Sequence, residues 1–153
     1  MNSELRDRLS WWNIRAKKEK DPWIRFVLYY MIFDAFITDG SNSGNDKKKL
    51  RWFLDNQNSL KDSLGGCWGT WLLPQVRGLK GMSPIYDMRP GSSRFIQITD
   101  ENNLEQIFMS IYQIRCNLFH GSKDMMNTRD ADLVYFGGEF LRNSIRWWLV
   151  SMV

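Results

Sequence analysis

Residues 23–37 form the longest apolar stretch of the chain and read WIRFVLYYMIFDAFI. Arg25 and Asp34 are the only charged residues in this stretch. The preceding Asp21-Pro22 is typical of a helix N-terminus, with aspartate as the cap and proline in the first turn. A helix that is apolar on nearly every side is normally buried at the centre of its protein. The stretch is also too short and too charged to span a bilayer, which takes about 20 apolar residues.

The segments around this central helix also have helical periodicity. Apolar spacing predicts a first helix capped by Ser3 and three later helices, over about residues 46–64, 99–121 and 128–152. Residues 65–94 contain six glycines and three prolines, so only short regular elements are expected there. We therefore predict an all-α fold, an up-and-down bundle of four to five main helices with an irregular Gly/Pro-rich connection, in one domain over residues 1–153.

The charge and the aromatic content of the chain indicate which partners it can bind. It has 21 Lys and Arg against 17 Asp and Glu, and the basic residues cluster at 15–20 and 47–51. Such clusters attract polyanions such as nucleic acid, although each alone also fits a solvated helix surface. Aromatic residues make up 14% of the chain, enough for a well-filled core and for aromatic surface kept for a partner.

Cysteine usage and the N-terminus predict a location. Cys67 and Cys116 are too few for a disulfide framework. Residues 1–6 lack the apolar core of a signal peptide. We therefore expect a reduced, cytoplasmic protein with no membrane partner.

The chemistry of the chain concentrates near Gly121, where residues 114–121 read IRCNLFHG. His120, the only histidine, follows Arg115 by five residues at the end of a predicted helix. Histidine takes and gives protons near neutral pH, because its unperturbed pKa is about 6.5. The planar guanidinium of arginine matches the geometry of phosphate. The pair predicts phosphodiester chemistry.

Each of these residues also has a structural interpretation. Arg115 follows Ile111 by four residues on the apolar side of its helix, so its head must find a partner or reach water along its aliphatic stem. His120 could serve as a C-terminal helix cap. Asp34 is an isolated acid in an apolar helix, and Arg25, Arg115 or a contact from the site could partner it.

Two other kinds of site are weaker. Cys116 and His120 lie four residues apart and could form a thiolate–imidazole pair, but no third residue to orient them is evident. One histidine and two distant cysteines make no zinc pattern, so no metal site is predicted.

A helix that ends in Arg-x4-His within a small all-α domain resembles the HEPN superfamily, whose motif is Arg-x4-6-His. Residues 114–123, IRCNLFHGSK, look like the forms that the motif takes in that family. The buried early helix ending at residues 33–36 and the final amphipathic helix also correspond to helices of that family. The motif covers about ten residues, and the architecture covers most of the chain.

The resemblance implies a metal-independent endoribonuclease that needs no cofactor and acts as a toxin or in antiviral defence. Two protomers would form a homodimer with both motifs facing one cleft, and a cognate antitoxin protein could bind it. Arg115 would hold the scissile phosphate of RNA and stabilise its developing charge. His120 would activate the 2′-hydroxyl or protonate the leaving group, leaving a 2′,3′-cyclic phosphate.

The chain departs from the family at one position. The family often has Asn or Asp directly after the arginine, whereas this chain has Cys116 there and Asn117 next. We predict that Asn117 supplies the polar catalytic contact, and that Lys123 and Asp34 bind substrate. The alternative is a non-catalytic helical module for RNA or a partner protein, with Arg115 in an ion pair and a covered motif.

Overall fold

A computed structural model describes residues 2–38, 44–121 and 127–151. Within these ranges the chain forms seven α-helices: α1 Ser3–Lys18, α2 Pro22–Thr38, α3 Asp46–Asn56, α4 Asn58–Ser63, α5 Leu73–Met82, α6 Leu104–Phe119 and α7 Thr128–Ser151. A 3₁₀ turn, Leu64–Gly66, and a π-helical turn, Trp68–Leu72, connect α4 to α5. The predicted all-α helical bundle is confirmed.

A small β-hairpin interrupts the helices between α5 and α6. Strands β1 (Ile85–Tyr86) and β2 (Phe95–Ile96) pair antiparallel, with Ile85 opposite Ile96 and Tyr86 opposite Phe95. The loop between them turns at Gly91, whose φ is +78°. Residues with a side chain rarely adopt this conformation. The hairpin lies in the Gly/Pro-rich segment, where only short elements were expected.

The predicted start of the first helix is wrong by one residue. Asn2 is the cap, because its Oδ1 accepts a hydrogen bond of 2.8 Å from the backbone N–H of Leu5. Ser3 is already helical. The helix predicted over residues 46–64 also breaks, since Gln57 leaves the helical conformation and separates α3 from α4.

The predicted start of α6 at residue 99 is wrong as well. The side chain of Asn103 caps the helix by accepting from the N–H of Gln106 at 3.1 Å. The Gln106 side chain then accepts from the N–H groups of Thr99 and Asp100, at 2.9 and 3.3 Å. These bonds hold residues 99–100 as a folded-back approach to the helix.

The core is centred on α2 and α7, which pack along their length. Phe33 of α2 stacks on Phe108 and Trp148, with ring centroids 5.4 and 6.3 Å apart. A Cβ at Gly137 of α7 would lie 3.1 Å from the ring of Phe26, so the missing side chain allows α7 to approach α2 closely. The burial predicted for the central stretch is confirmed, and Met31 lies on its one exposed side.

Within the described ranges, no helix combines the length and the apolar character needed to cross a membrane.

Candidate active site

An open cleft of about 350 Å³ lies where α6, the hairpin and the start of α3 meet. Arg115 lies in the last turns of α6, and His120 directly follows the last residue of this helix. The full lining is Asn45, Lys47, Asp87, Arg89, Arg94, Ile96, Met109, Tyr112, Gln113, Arg115, Cys116 and His120. The structure thus brings Arg115 and His120 into one solvent-accessible cavity.

The guanidinium of Arg115 is held by one carboxylate and two aromatic rings. Its Nη2 lies 2.6 Å from Oδ2 of Asp46, the first residue of α3. Its Cζ lies 4.7 Å from the ring centroid of Phe119 and 5.6 Å from that of Tyr30, within the range of cation–π attraction. These contacts fix the direction of the guanidinium, while 26% of the side chain remains exposed.

Asp46 also decides the electrostatics of this arginine. Burial acts to lower the pKa of Arg115, but the negative charge of Asp46 and the contacts with Tyr30 and Cys116 outweigh it and raise the pKa. Arg115 is therefore a permanent cation. A phosphate that binds Arg115 has to compete with Asp46 for it.

His120 follows the last helical residue of α6, and its backbone and side chain have separate roles. The backbone N–H of His120 donates to the carbonyl of Cys116 at 3.0 Å and closes the helix. Gly121, with φ of +69°, then turns the chain away, so the predicted helix stop is confirmed. The imidazole is exposed, lines the cleft and has no hydrogen-bond partner among the residues that the structure describes. The backbone at position 120 is thus the cap, and the imidazole faces the cleft.

Asn117 lies behind the cleft and joins the hairpin to α6. Its Oδ1 accepts from the N–H of Met88 at 3.1 Å and from the amide of Gln113 at 3.0 Å. Its Nδ2 donates to the carbonyl of Tyr86 at 2.8 Å. The side chain is buried and is absent from the lining of the cleft. This geometry anchors the hairpin to α6 and keeps the Asn117 side chain out of the cleft lining, and the catalytic contact predicted for Asn117 stays a prediction.

Of the partners that the sequence left open for Asp34, neither Arg25 nor Arg115 forms an ion pair with it among the described residues. The Nζ of Lys49 on α3 lies 3.8 Å from Asp34 Oδ2 and forms an ion pair with it. Arg25 pairs instead with Glu139 at 2.9 Å. Burial raises the pKa of Asp34, and the positive charge of Lys49 opposes that shift.

Of the two predicted substrate-binding residues, only Asp34 is among the residues that the structure describes. Lys49 also lies 3.9 Å from Asp46 Oδ1, so it joins the carboxylates of Asp34 and Asp46 behind the cleft. Asp34 itself does not line the cleft. Lys123 lies outside the described residues.

The hairpin loop brings two arginines that the sequence did not single out, Arg89 and Arg94. Asp87 fixes Arg89, since its carboxylate accepts from Arg89 Nε at 3.1 Å and from Nη2 at 2.6 Å. Ser92 Oγ donates to the same carboxylate at 3.0 Å. These hydrogen bonds, above all those from Arg89, hold the pKa of the Asp87 carboxyl well below its usual range.

The lowered pKa of Asp87 predicts a pH-dependent stability. A carboxyl whose folded pKa lies below its unfolded value, about 3.9, stabilises the fold above that value and loses this contribution as the pH falls toward the folded pKa. We expect Asp87→Asn to lower the free energy of unfolding near neutral pH, and the difference from wild type to shrink below about pH 4. Urea unfolding of both proteins across this range measures it. A difference that does not change with pH would contradict the assignment.

Tyr112 and Cys116 lie side by side on the α6 surface of the cleft. Burial, followed by the hydrogen bond with Cys116, raises the pKa of the Tyr112 hydroxyl to about 12. Cys116 is partly exposed, whereas Cys67 is buried elsewhere. No hydrogen bond between Cys116 and His120 occurs among the described contacts, and the alternative thiolate–imidazole pair stays a prediction.

No protein-family model, curated protein or solved structure matches the chain. In the part of the chain that the structure describes, no three His, Cys, Asp or Glu side chains are grouped to hold a metal ion. The function must therefore be argued from the cleft itself: a fixed arginine, an available imidazole and three further cations, Lys47, Arg89 and Arg94.

Proposed function

We propose that the protein is a metal-independent endoribonuclease of the HEPN type, acting in the cytoplasm as a toxin or an antiviral effector. The observation that carries the proposal is that Arg115 and His120 line one open, cation-rich cleft. A phosphate-binding cation and a proton-transfer group are what RNA needs for cleavage by its own 2′-hydroxyl.

In the proposed reaction His120, as a neutral imidazole, accepts the proton of the 2′-hydroxyl. The 2′-oxygen attacks the adjacent phosphorus while the bond to the 5′-oxygen breaks, giving a 2′,3′-cyclic phosphate and a 5′-hydroxyl. Arg115 neutralises the charge that develops on the non-bridging oxygens. Once the phosphate has replaced Asp46 as its partner, the Arg115 guanidinium is already placed beside the reacting phosphorus, so it needs little movement to reach the transition state.

The proposed mechanism gives a chemical reason for the protein to act as a homodimer. The reaction needs one proton removed from the 2′-hydroxyl and one delivered to the 5′-oxygen, and the chain has a single histidine. With two motifs facing one cleft, one imidazole acts as the base and the second as the acid. A cognate antitoxin would act by covering this cleft.

The test is RNA cleavage by the purified protein in excess EDTA, with Arg115→Lys as the matched variant. Lysine keeps the positive charge beside Asp46 but loses the two-pronged contact with phosphate. We expect wild-type cleavage to persist in EDTA, to leave cyclic phosphate ends, and to fall by about 10- to 100-fold in Arg115→Lys. Cleavage that EDTA abolishes, or that is unchanged in the variant, would contradict the proposal.

The second candidate is a non-catalytic helical module that binds RNA or a partner protein. The short ion pair between Arg115 and Asp46, flanked by the rings of Tyr30 and Phe119, favours it, because a purely structural arginine would have such partners. It predicts that the wild-type protein is inert toward varied RNAs while it still binds a ligand.

A further inference from the structure

Two cations of the cleft, Lys47 and Arg94, have no ionic partner among the residues that the structure describes. The other two do: Asp87 offsets the charge of Arg89, and Asp46 offsets that of Arg115. Unpaired like charges around one concave surface raise its positive potential and attract an anion. The excess charge of the cleft therefore resides in Lys47 and Arg94.

These two cations come from different elements. Lys47 lies in the first turn of α3, and Arg94 lies immediately before β2 of the hairpin. Both elements border the part of the cleft where α6 presents Arg115 and His120. A chain of phosphates that crosses the cleft can therefore meet a cation from α3, the motif on α6 and a cation from the hairpin.

The uncharged part of the lining suits a nucleobase. The neutral ring of Tyr112, together with Met109 and Ile96, lines the same cleft. Proteins that bind single strands combine a cationic groove with aromatic rings on which bases stack. A cleft of about 350 Å³ is in the size range of sites for one small ligand, so it has room for one nucleotide unit of a strand.

We propose that Lys47 and Arg94 bind the phosphates on either side of the one at Arg115, so that the cleft takes single-stranded RNA. This inference rests on the proposed function and specifies its substrate. Lys47 and Arg94 are binding residues, and they contact the strand away from the bond that breaks.

The first measurement is the fluorescence anisotropy of a labelled single strand in which every 2′-hydroxyl is methylated, so that it cannot be cleaved. Lys47→Ala and Arg94→Ala are compared with Lys48→Ala and Lys17→Ala. The controls remove the same charge from exposed positions outside the cleft. We expect each cleft variant to weaken binding by roughly threefold or more, and to reduce the slope of log K against log salt by about 0.7. The controls should change neither quantity.

The second measurement follows the alkylation rate of the Cys116 thiol, which reports whether the cleft is occupied. Cys116 lines the cleft and is partly exposed, while the buried Cys67 serves as an internal reference. We expect the methylated strand to slow alkylation of Cys116 by iodoacetamide, read by peptide mass spectrometry. A duplex of the same sequence should not slow it, and a mononucleotide should do so only at far higher concentration.

The outcomes separate this inference from the proposed function. Equal losses in cleft and control variants, equal protection by duplex, protection by a mononucleotide as strong as by the strand, or no binding would each overturn the single-strand assignment. Strand binding with the expected variant losses, but with no cleavage of unmodified RNA, would support the binding cleft and refute the ribonuclease.

Discussion

Replacing His120 with alanine should lower the rate of RNA cleavage by about 10²- to 10⁴-fold, the usual contribution of a positioned acid–base group. The imidazole is the only one in the chain and lines the cleft beside Arg115. No second imidazole is present in the chain to replace it. Single-turnover cleavage of a labelled single-stranded RNA measures the effect.

The fold of this variant should be intact, because the backbone of residue 120 makes the hydrogen bond that closes α6. The matched control is His120→Ala with added imidazole, which can enter the open cleft and should restore part of the activity. A folded variant that cleaves as fast as wild type would show that the motif is not the site. Loss of activity with loss of helical circular dichroism would instead be a stability effect, contrary to the expectation.

Replacing Asn117 with leucine should lower the free energy of unfolding by about 2 to 4 kcal/mol. The variant leaves the carbonyl of Tyr86 without its donor and the N–H of Met88 without its acceptor. Each backbone group left unsatisfied in this part-buried position costs about 1 to 2 kcal/mol. Leucine branches at Cγ like asparagine and is larger, so it leaves no cavity, and the loss combines the missing hydrogen bonds with the cost of fitting the larger side chain. Urea unfolding followed by circular dichroism measures it.

The control for this prediction is Gln113→Ala. It removes the one side-chain bond to Asn117 and leaves both backbone groups of the hairpin paired. We expect it to cost less than about 1 kcal/mol. If Asn117→Leu costs no more than this control, Asn117 does not anchor the hairpin. If the hairpin is anchored as described, the leucine variant should also bind the methylated strand more weakly, since Arg94 loses its fixed position.

The fold was predictable where local periodicity determines it. An apolar run such as residues 23–37 has to be buried wherever it lies, and Gly121 ends α6 through a local backbone conformation. The break at Gln57 was not predictable, because the apolar positions of α3 and α4 continue one helical pattern across it. The caps at Asn2 and Asn103 were missed by one to four residues, since several neighbouring side chains can act as caps.

The candidate site was predictable only along one helix. Arg115 and His120 are five residues apart in sequence, so helix geometry alone places them within about one and a half turns of each other at the end of α6. Arg94 reaches the cleft through the hairpin, whose placement depends on the buried amide of Asn117. The pairing of Arg115 with Asp46 joins two helices that are distant in sequence. No spacing rule connects such residues, so their contacts appear only once the tertiary structure is known.

At position 120 the backbone closes the helix and the side chain lines the cleft. This separation affects which substitutions the protein can accept during evolution. Since the peptide N–H ends the helix and Gly121 makes the turn, the architecture makes little demand on which side chain stands at 120. A lineage could therefore lose the imidazole in one substitution and keep a folded scaffold, or regain it as easily. Close descendants of one ancestor could in this way divide into cutting and non-cutting forms with the same shape.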